Sequence, residues 1–336
     1  MSNSNTQKIQ SGYVILNKPK GMSSFFALRK AQMKFRDELE LSSGKKGKQN
    51  KVKMGHAGTL DPLAEGVLLC GIEQGTKILS EMILSKKSYT AEIFLGKFSE
   101  TDDEEGEKYE YDDKNDEGVI NQAPTEQEIQ KLLETKFSGK IQQTPPIYSA
   151  LKISGKRACD RARDAENSEE IQKKISEEIQ KKTREIEIFQ IQILEYSFPK
   201  LKIFVECGSG TYIRSLARDI GRELHVGGYL TFLRRDSVGN FTLKKAVDIE
   251  DLKTENIQKF LPEMFDLPEI LVSPEEKLRL EQGQRIRFFE SKNLEISENT
   301  QENKKIKVLI VEEISGELVG FGEKDGSILR PRKIFS

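Results

Sequence analysis

Residues 54–72, MGHAGTLDPLAEGVLLCGI, constrain the fold more than any other stretch of this chain. One acid, Asp61, stands between a leucine and a proline. Gly55, Gly58 and Gly66 flank it, and the apolar run Val67 to Cys70 follows. A solvent loop is usually more polar than this, and a core strand rarely carries a carboxylate. The run reads as a buried strand, VLLCGI, fed by a glycine-rich loop that holds Asp61 against the interior. Two readings of Asp61 stand side by side. It can be a turn former, since Asp-Pro is common in turns and Asp satisfies nearby backbone groups. Alternatively, the glycines allow a ligand to approach the backbone closely, and the apolar neighbours partly desolvate a carboxylate that then needs a partner.

The candidate partner is Arg214, in CGSGTYIRSLARD (207–219). Gly208, Gly210 and Thr211 lead into an amphipathic helix on which Ile213, Leu216, Ala217, Ile220 and Leu224 share one face. Glycines before a helix N-terminus leave free N–H groups, a ready anion site. The plain alternative is a surface helix with solvated Arg214 and Arg218. Tyr89 opens a strand, YTAEIFLG, and its hydroxyl needs a partner if buried. His56 lies in the same loop as Asp61. The segment 145–163, PPIYSALKISGKRACDRAR, is basic, and its Lys152, Lys156 and Arg157 read either as a solvated face or as a phosphate-tracking surface.

The remaining chain sets bounds. At 336 residues there is room for a large domain and a small one. Strand-like YVILN (13–17) precedes the turn KPKGMSS and a helix-like segment; Thr125 to Phe137 reads as a helix opened by a Thr125/Glu128 capping box. EIEIFQIQILEY and KLKIFVEC alternate like antiparallel strands. Beyond Pro262 and Pro268, short strand-like pieces suggest a small all-β module. Three charged segments look like inserts. Residues 38–53 read as a mobile basic loop, 100–118 as an acidic loop too polar to pack, and 165–183 as an exposed helix. The acidic loop carries a net −9 of the chain's overall −1, so the rest is basic at +8, which suits an RNA partner. No run is long and apolar enough for a membrane span, and no secretory or organelle signal is read at the N-terminus. Three scattered cysteines fit reduced core thiols in a cytoplasm. Two histidines make a zinc site hard to assemble.

GHAGTLDPLAEGVLLCGIEQGTK resembles the signature of the TruB family of tRNA pseudouridine synthases, and further blocks match in order. GYVILNKPKGMSS, KSYTAEIFLG with Thr101 to Gly106, PPIYSALKISGKRACDRAR and CGSGTYIRSLARDIGREL with LTFLRRDSVGNF extend the likeness over residues 12–243. The resemblance implies an α+β fold: a mixed, mainly antiparallel pseudouridine synthase sheet with flanking helices over 1–250, then a PUA-like RNA-binding β domain over 265–336. It implies isomerisation of uridine 55 in the tRNA T-arm to pseudouridine by base flipping, with no cofactor and no metal. Asp61 is then the nucleophile, paired with Arg214; Tyr89 stacks on the base and aids proton transfer; His56, Tyr212 and Leu233 contact substrate. It further implies a monomer that needs no protein partner. The acidic loop looks long for the family and would repel tRNA if it faced the cleft, so it is expected to point away. Two rivals remain on the same scaffold. One is a guide-RNA-dependent pseudouridine synthase, against which the lack of a long basic tail counts. The other is a non-catalytic tRNA-binding or folding protein.

Overall fold

The computed structural model describes residues 9–43, 51–110, 123–149, 151–153, 155–158, 161–162, 169–287 and 305–335. A mixed sheet of ten strands organises the first three quarters of the chain. Its strands are β1 (Gly12–Lys18), β2 (Met54–His56), β3 (Glu65–Ile72), β4 (Lys87–Leu95), β5 (Gly139–Gln143), β6 (Arg184–Ser197), β7 (Lys200–Cys207), β8 (Gly228–Val238), β9 (Phe241–Thr242) and β10 (Val247–Asp248). The order is β10-β1-β3-β8-β4-β7-β6-β5, with β2 on β3 and β9 on β8. Only β1–β10 and β3–β8 pair in parallel. The mainly antiparallel sheet expected from the alternating strands is therefore present, flanked by helices.

The β3–β8 pair is the seam of the sheet. Everything from β8 to β5 is one antiparallel run, and β1 and β2 both pair antiparallel with β3. The seam lets two apolar strands meet with their backbones close together. Gly66 has φ +98° and faces Arg235 across it; a Cβ there would lie 2.4 Å from the Arg235 carbonyl oxygen. Only glycine satisfies both demands.

Helices cover the sheet. Ser24–Ser43 (α1) packs Ala27, Ala31, Phe35 and Leu39 against Val14, Leu16 and Leu68. The short α2 (Leu79–Ile83) follows a 3-10 turn. Thr125 caps α3 (Glu126–Lys136) in the capping box read from the sequence: its hydroxyl accepts from the Glu128 N–H, and the Glu128 carboxylate accepts from the Thr125 N–H. The mixed-charge segment forms α4 (Glu169–Gln180). It is less exposed than its composition suggests, because Ile175 and Ile179 bury against Ala158. Helix α5 (Ile213–Glu223) packs on β8 and β4, with Ile213, Leu216, Ala217 and Ile220 buried as their spacing predicted. Gly221 allows that close fit, since a Cβ would meet the Gly228 nitrogen at 2.2 Å.

The C-terminal part forms a five-stranded sheet, ordered β11 (Glu269–Val272), β13 (Ile306–Glu312), β14 (Leu318–Asp325), β15 (Ile328–Ile334) and β12 (Ile286–Arg287). It is not all-β, as its sequence suggested. A Ser273/Glu276 capping box with Pro274 in the first turn starts α6 (Pro274–Glu281), which buries Leu280 beneath the strands. The two sheets share a core: Tyr13, Ile15, Val67 and Phe241 pack in one cluster with Leu309, Val311, Leu318 and Phe321. Glu81 accepts from both Lys307 and Lys333, and Lys77 donates to the Ile334 carbonyl.

The charged segments correct two expectations. Residues 38–43 continue α1 rather than opening a loop, and 51–53 lead directly into β2; residues 44–50 between them lie outside the described residues. The acidic stretch does not simply turn outward. Thr101 is half-buried, and Asp102 and Asp103 are buried. Lys108–Glu110 pairs as a strand with Lys97–Ser99. Each buried acid has an arginine on α5, which is why so polar a stretch packs at all. Residues 111–118 lie outside the described residues, as does most of the 291–305 loop. No described helix is long and apolar enough to cross a membrane.

Candidate active site

The Asp61 loop is fixed from below by α1. Buried Ser24 uses one hydroxyl twice, donating to the Leu60 carbonyl at 2.8 Å and accepting from the Leu60 N–H at 2.7 Å. The Gly21 N–H donates to the Pro62 carbonyl at 2.7 Å, so the KPKGMSS turn brackets Asp61 on both sides. Lys18 is fully buried beneath this turn and donates to the Pro19 and Met22 carbonyls. Burial pushes its ammonium down to about 8, against an upward pull from Asp61.

Arg214 reaches Asp61 from the first turn of α5, Nη2 to Oδ2 at 2.9 Å. Its other contacts are the Asp103 carboxylate at 3.3 Å and the carbonyls of Thr101 and Tyr148 at 3.1 and 2.9 Å. The plain reading of a solvated arginine is excluded, because the Arg214 side chain is 7% exposed. Arg218, one turn on, is likewise drawn inward by Asp102 at 2.8 Å. The start of α5 is held by buried Gln143, whose amide donates to the Tyr212 carbonyl and accepts from the Tyr212 N–H.

Asp61 itself is 42% exposed on its side chain, wetter than the dry pocket its neighbours suggested. The loop buries Leu60 and Leu63 and leaves the carboxylate at the open end of a cleft of about 330 Å³. Five of the residues singled out in the sequence line that cleft together: Asp61, Tyr89, Tyr212, Arg214 and Leu233. Tyr89 and Leu233 are buried, on neighbouring strands β4 and β8. Burial raises the Tyr89 phenol, and the Arg235 guanidinium beside it opposes that rise. His56 is not in the cleft wall. It lies on β2, opposite Cys70, with Nδ1 buried and without a hydrogen-bond partner among the described residues. Burial, aided by Arg235, lowers its pKa. In a small hairpin the backbone of Lys152 pairs with that of Arg157, and Ile153 with Lys156. The side chains of Lys152, Lys156 and Arg157 lie outside the described residues.

The sequence reading missed four side chains that shape the site: Ser24, Asp103, Gln143 and Arg235. Arg235 had a signal. Successive side chains of a strand point to opposite faces, so a strand buried on both sides that carries LRRD must bury one of its arginines.

A model of the TruB family pseudouridylate synthase N-terminal domain matches residues 45–213, and one of the tRNA pseudouridylate synthase B C-terminal domain matches 214–276. A tRNA pseudouridine synthase B from Corynebacterium diphtheriae is 42% identical over 72% of each chain. The chain belongs to the TruB family. A second relative of that name, from Bartonella tribocorum, is 33% identical over 97% of this chain and 96% of its own, so the likeness extends through the C-terminal sheet. Among solved structures, a chain of a Cbf5-Nop10-Gar1 complex superposes with a TM-score of 0.63 at 20% identity, covering 97% of this chain and 85% of that one. At that identity the likeness is one of fold.

Proposed function

We propose that this TruB family member is a tRNA pseudouridine synthase that isomerises uridine 55 of the T-arm. The observation that carries the proposal is the Asp61–Arg214 pair at 2.9 Å, open to a cleft walled by Tyr89 and Leu233. One accessible carboxylate, oriented by a buried guanidinium, suits attack by a single nucleophile without a cofactor.

The target base is stacked in a folded loop and must be flipped out to reach Asp61. Tyr89 supplies a stacking face, worth about 1–3 kcal/mol for such contacts. His56, partly buried and with its pKa lowered by burial and by Arg235, is suited to fill the space the base leaves. Asp61 then serves the cleavage of the N1–C1′ bond; the freed uracil rotates and rejoins C1′ through C5, and the C5 proton is lost with Tyr89 assisting. The half-exposure of Asp61 in the free protein fits this order, because the arriving nucleotide completes the burial. Tyr212 and Leu233 contact the nucleotide, Lys152, Lys156 and Arg157 track phosphates, and the C-terminal sheet serves as a PUA-like RNA-binding unit. The enzyme acts in the cytoplasm as a monomer, without a protein partner.

The test uses unmodified tRNA carrying tritium at uridine C5, with no added metal, nucleotide or guide RNA. Release by wild type and not by Asp61→Asn, mapped to the T-arm by carbodiimide-dependent stops, supports the reading. No release by folded wild type overturns the stand-alone enzyme and favours a guide-dependent or binding-only protein.

A further inference from the structure

Large apolar side chains on a helix usually face the core. Phe25 and Phe26, side by side in the first turn of α1, are instead 69% and 60% exposed. Their backbone is fixed. Ser23 caps the helix, its hydroxyl accepting from the Phe26 N–H at 3.2 Å. Ser24, between the cap and the rings, holds the Leu60 backbone in both directions, and Gly21 on the preceding turn holds Pro62. Leu60 and Asp61 both line the cleft. The two rings therefore stand on a rigid element that is bonded to the loop of Asp61.

Two observations choose a nucleic acid over a protein as the occupant of this surface. The first is charge. From Lys18 to Arg36 the chain carries Lys18, Lys20, Arg29, Lys30, Lys34 and Arg36, and no acid. All but Arg29 meet a carbonyl or a carboxylate. Arg29 is exposed, with no hydrogen-bond or ion-pair partner among the described residues. It follows Phe26 by three positions and Phe25 by four, so on the helix surface it neighbours both rings. Two π-faces beside an uncommitted guanidinium match the two parts of a nucleotide: the base stacks, and the phosphate accepts charge-assisted hydrogen bonds. The second observation is continuity. The rings follow directly on the residue that bonds the cleft wall, so a strand with one nucleotide in the cleft has its neighbours within reach of α1.

We infer that Phe25, Phe26 and Arg29 form an accessory docking surface for the substrate RNA outside the cleft. An unpaired base stacks on the phenyl rings, and an adjoining phosphate pairs with Arg29. This inference rests on the tRNA pseudouridine synthase reading for the identity of the RNA, and on no catalytic step.

Filter retention of an unmodified tRNA transcript by the full chain tests it, in an Asp61→Asn background so that the RNA is not turned over. The rings can be replaced without disturbing the cap, since Ser23 bonds the backbone of Phe26 and not its side chain. Phe25→Leu with Phe26→Leu keeps apolar bulk but removes both π-faces, and should weaken binding by at least about 5-fold. Phe25→Tyr with Phe26→Tyr keeps the π-faces and should stay within about 2-fold of the parent. On a fully paired RNA stem the leucine pair should bind like the parent, since no base is free to stack. Arg29→Ala should weaken binding and lower the slope of log Kd against log salt by about one, a slope the leucine pair should leave unchanged. Leucine variants that bind tRNA as well as the parent, an equal loss on the paired stem, or an unmoved salt slope in Arg29→Ala each overturn the inference. So does a dimer that Phe25→Ala with Phe26→Ala dissolves without loss of RNA affinity, because the rings are then a protein interface. Tritium release by wild type separates this surface from the enzyme reading. RNA that binds with the leucine loss but is never isomerised supports the surface and fails the enzyme; folded wild type that retains no RNA overturns both.

Discussion

Two arginines reach the same cleft, and both are buried, yet they are satisfied in opposite ways. Arg214 lies between two carboxylates, half-exposed Asp61 and buried Asp103, so its buried charge is balanced by Asp103. Arg235 is held by the Val67 and Gly58 carbonyl oxygens, and among the described residues no counter-ion lies beside its charge. The first arrangement fixes a nucleophile without burying net charge. The second creates a positive region under the cleft that its neighbours feel. Lys87 is pushed down to about 8 chiefly by burial and further by Arg235, and the same guanidinium lowers Lys18 and His56. Substrate RNA is an anion, so uncompensated positive charge beneath the floor of its site is useful, whereas an uncompensated carboxylate there would repel it.

The largest effect expected from breaking the comparison is on the acid that Arg214 presents. Asp61→Asn should lower tritium release by more than about 10³-fold, as loss of a covalent catalyst does, with little change in tRNA binding by filter retention. Residual turnover within tenfold of wild type would remove Asp61 from the nucleophile role. Stability should next separate the two arginines. Arg214→Met strands Asp103, which has 6% side-chain exposure, and should cost about 3–5 kcal/mol in urea unfolding. Arg235→Met strands only neutral carbonyls and should cost less, about 1–3 kcal/mol. A reversed order would mean that the pairing of Arg214 is not what holds α5 in place.

A finer test uses pH. The usual lysine pKa is 10.5, and folding lowers Lys87 and Lys18 to about 8. Between those values the unfolded chain holds more protons on these lysines than the folded one, so this contribution to stability rises with pH and is lost as pH falls through about 8. The urea midpoint of wild type should therefore climb relative to Lys87→Met from pH 8 to 10. The climb should be shallower in an Arg235→Met background; parallel profiles would show that burial alone sets the shift. The smallest effect belongs to the rim. Lys20 pairs with Glu104 at 2.9 Å, but both are more than 40% exposed, so Lys20→Ala should change stability by no more than about 0.5 kcal/mol. A loss above 2 kcal/mol would place that pair in the buried network after all.

The same contrast explains what could be read from the sequence. Asp61 and Arg214 were legible because unusual local surroundings marked them: an acid among glycines and leucines, and an arginine in the first turn of a strongly amphipathic helix. The capping boxes at Thr125 and Ser273 are equally local, though only the first was used. Asp103 was hidden because its run of acids looks like a solvated loop until α5 brings two arginines beside it. Arg235 and Gln143 act through backbone groups of distant segments, Gly58, Val67 and Tyr212, and no local pattern encodes a partner contributed by a carbonyl or an N–H. The strands and their antiparallel bias were visible in the alternation. The parallel seam of β3 and β8 was not, because it joins residues about 170 positions apart.

The core shared by the two sheets has a consequence for how the protein is made. Tyr13 and Ile15 pack in the same cluster as Leu309, Val311 and Phe321, which leave the ribosome much later. Until those later strands emerge, one side of the sheet shows bare apolar surface to the cell. Synthesis must therefore pass Phe321 before β1 is sheltered. A chain cut short near the beginning of the C-terminal sheet would be a target for chaperones and proteases rather than a smaller working enzyme.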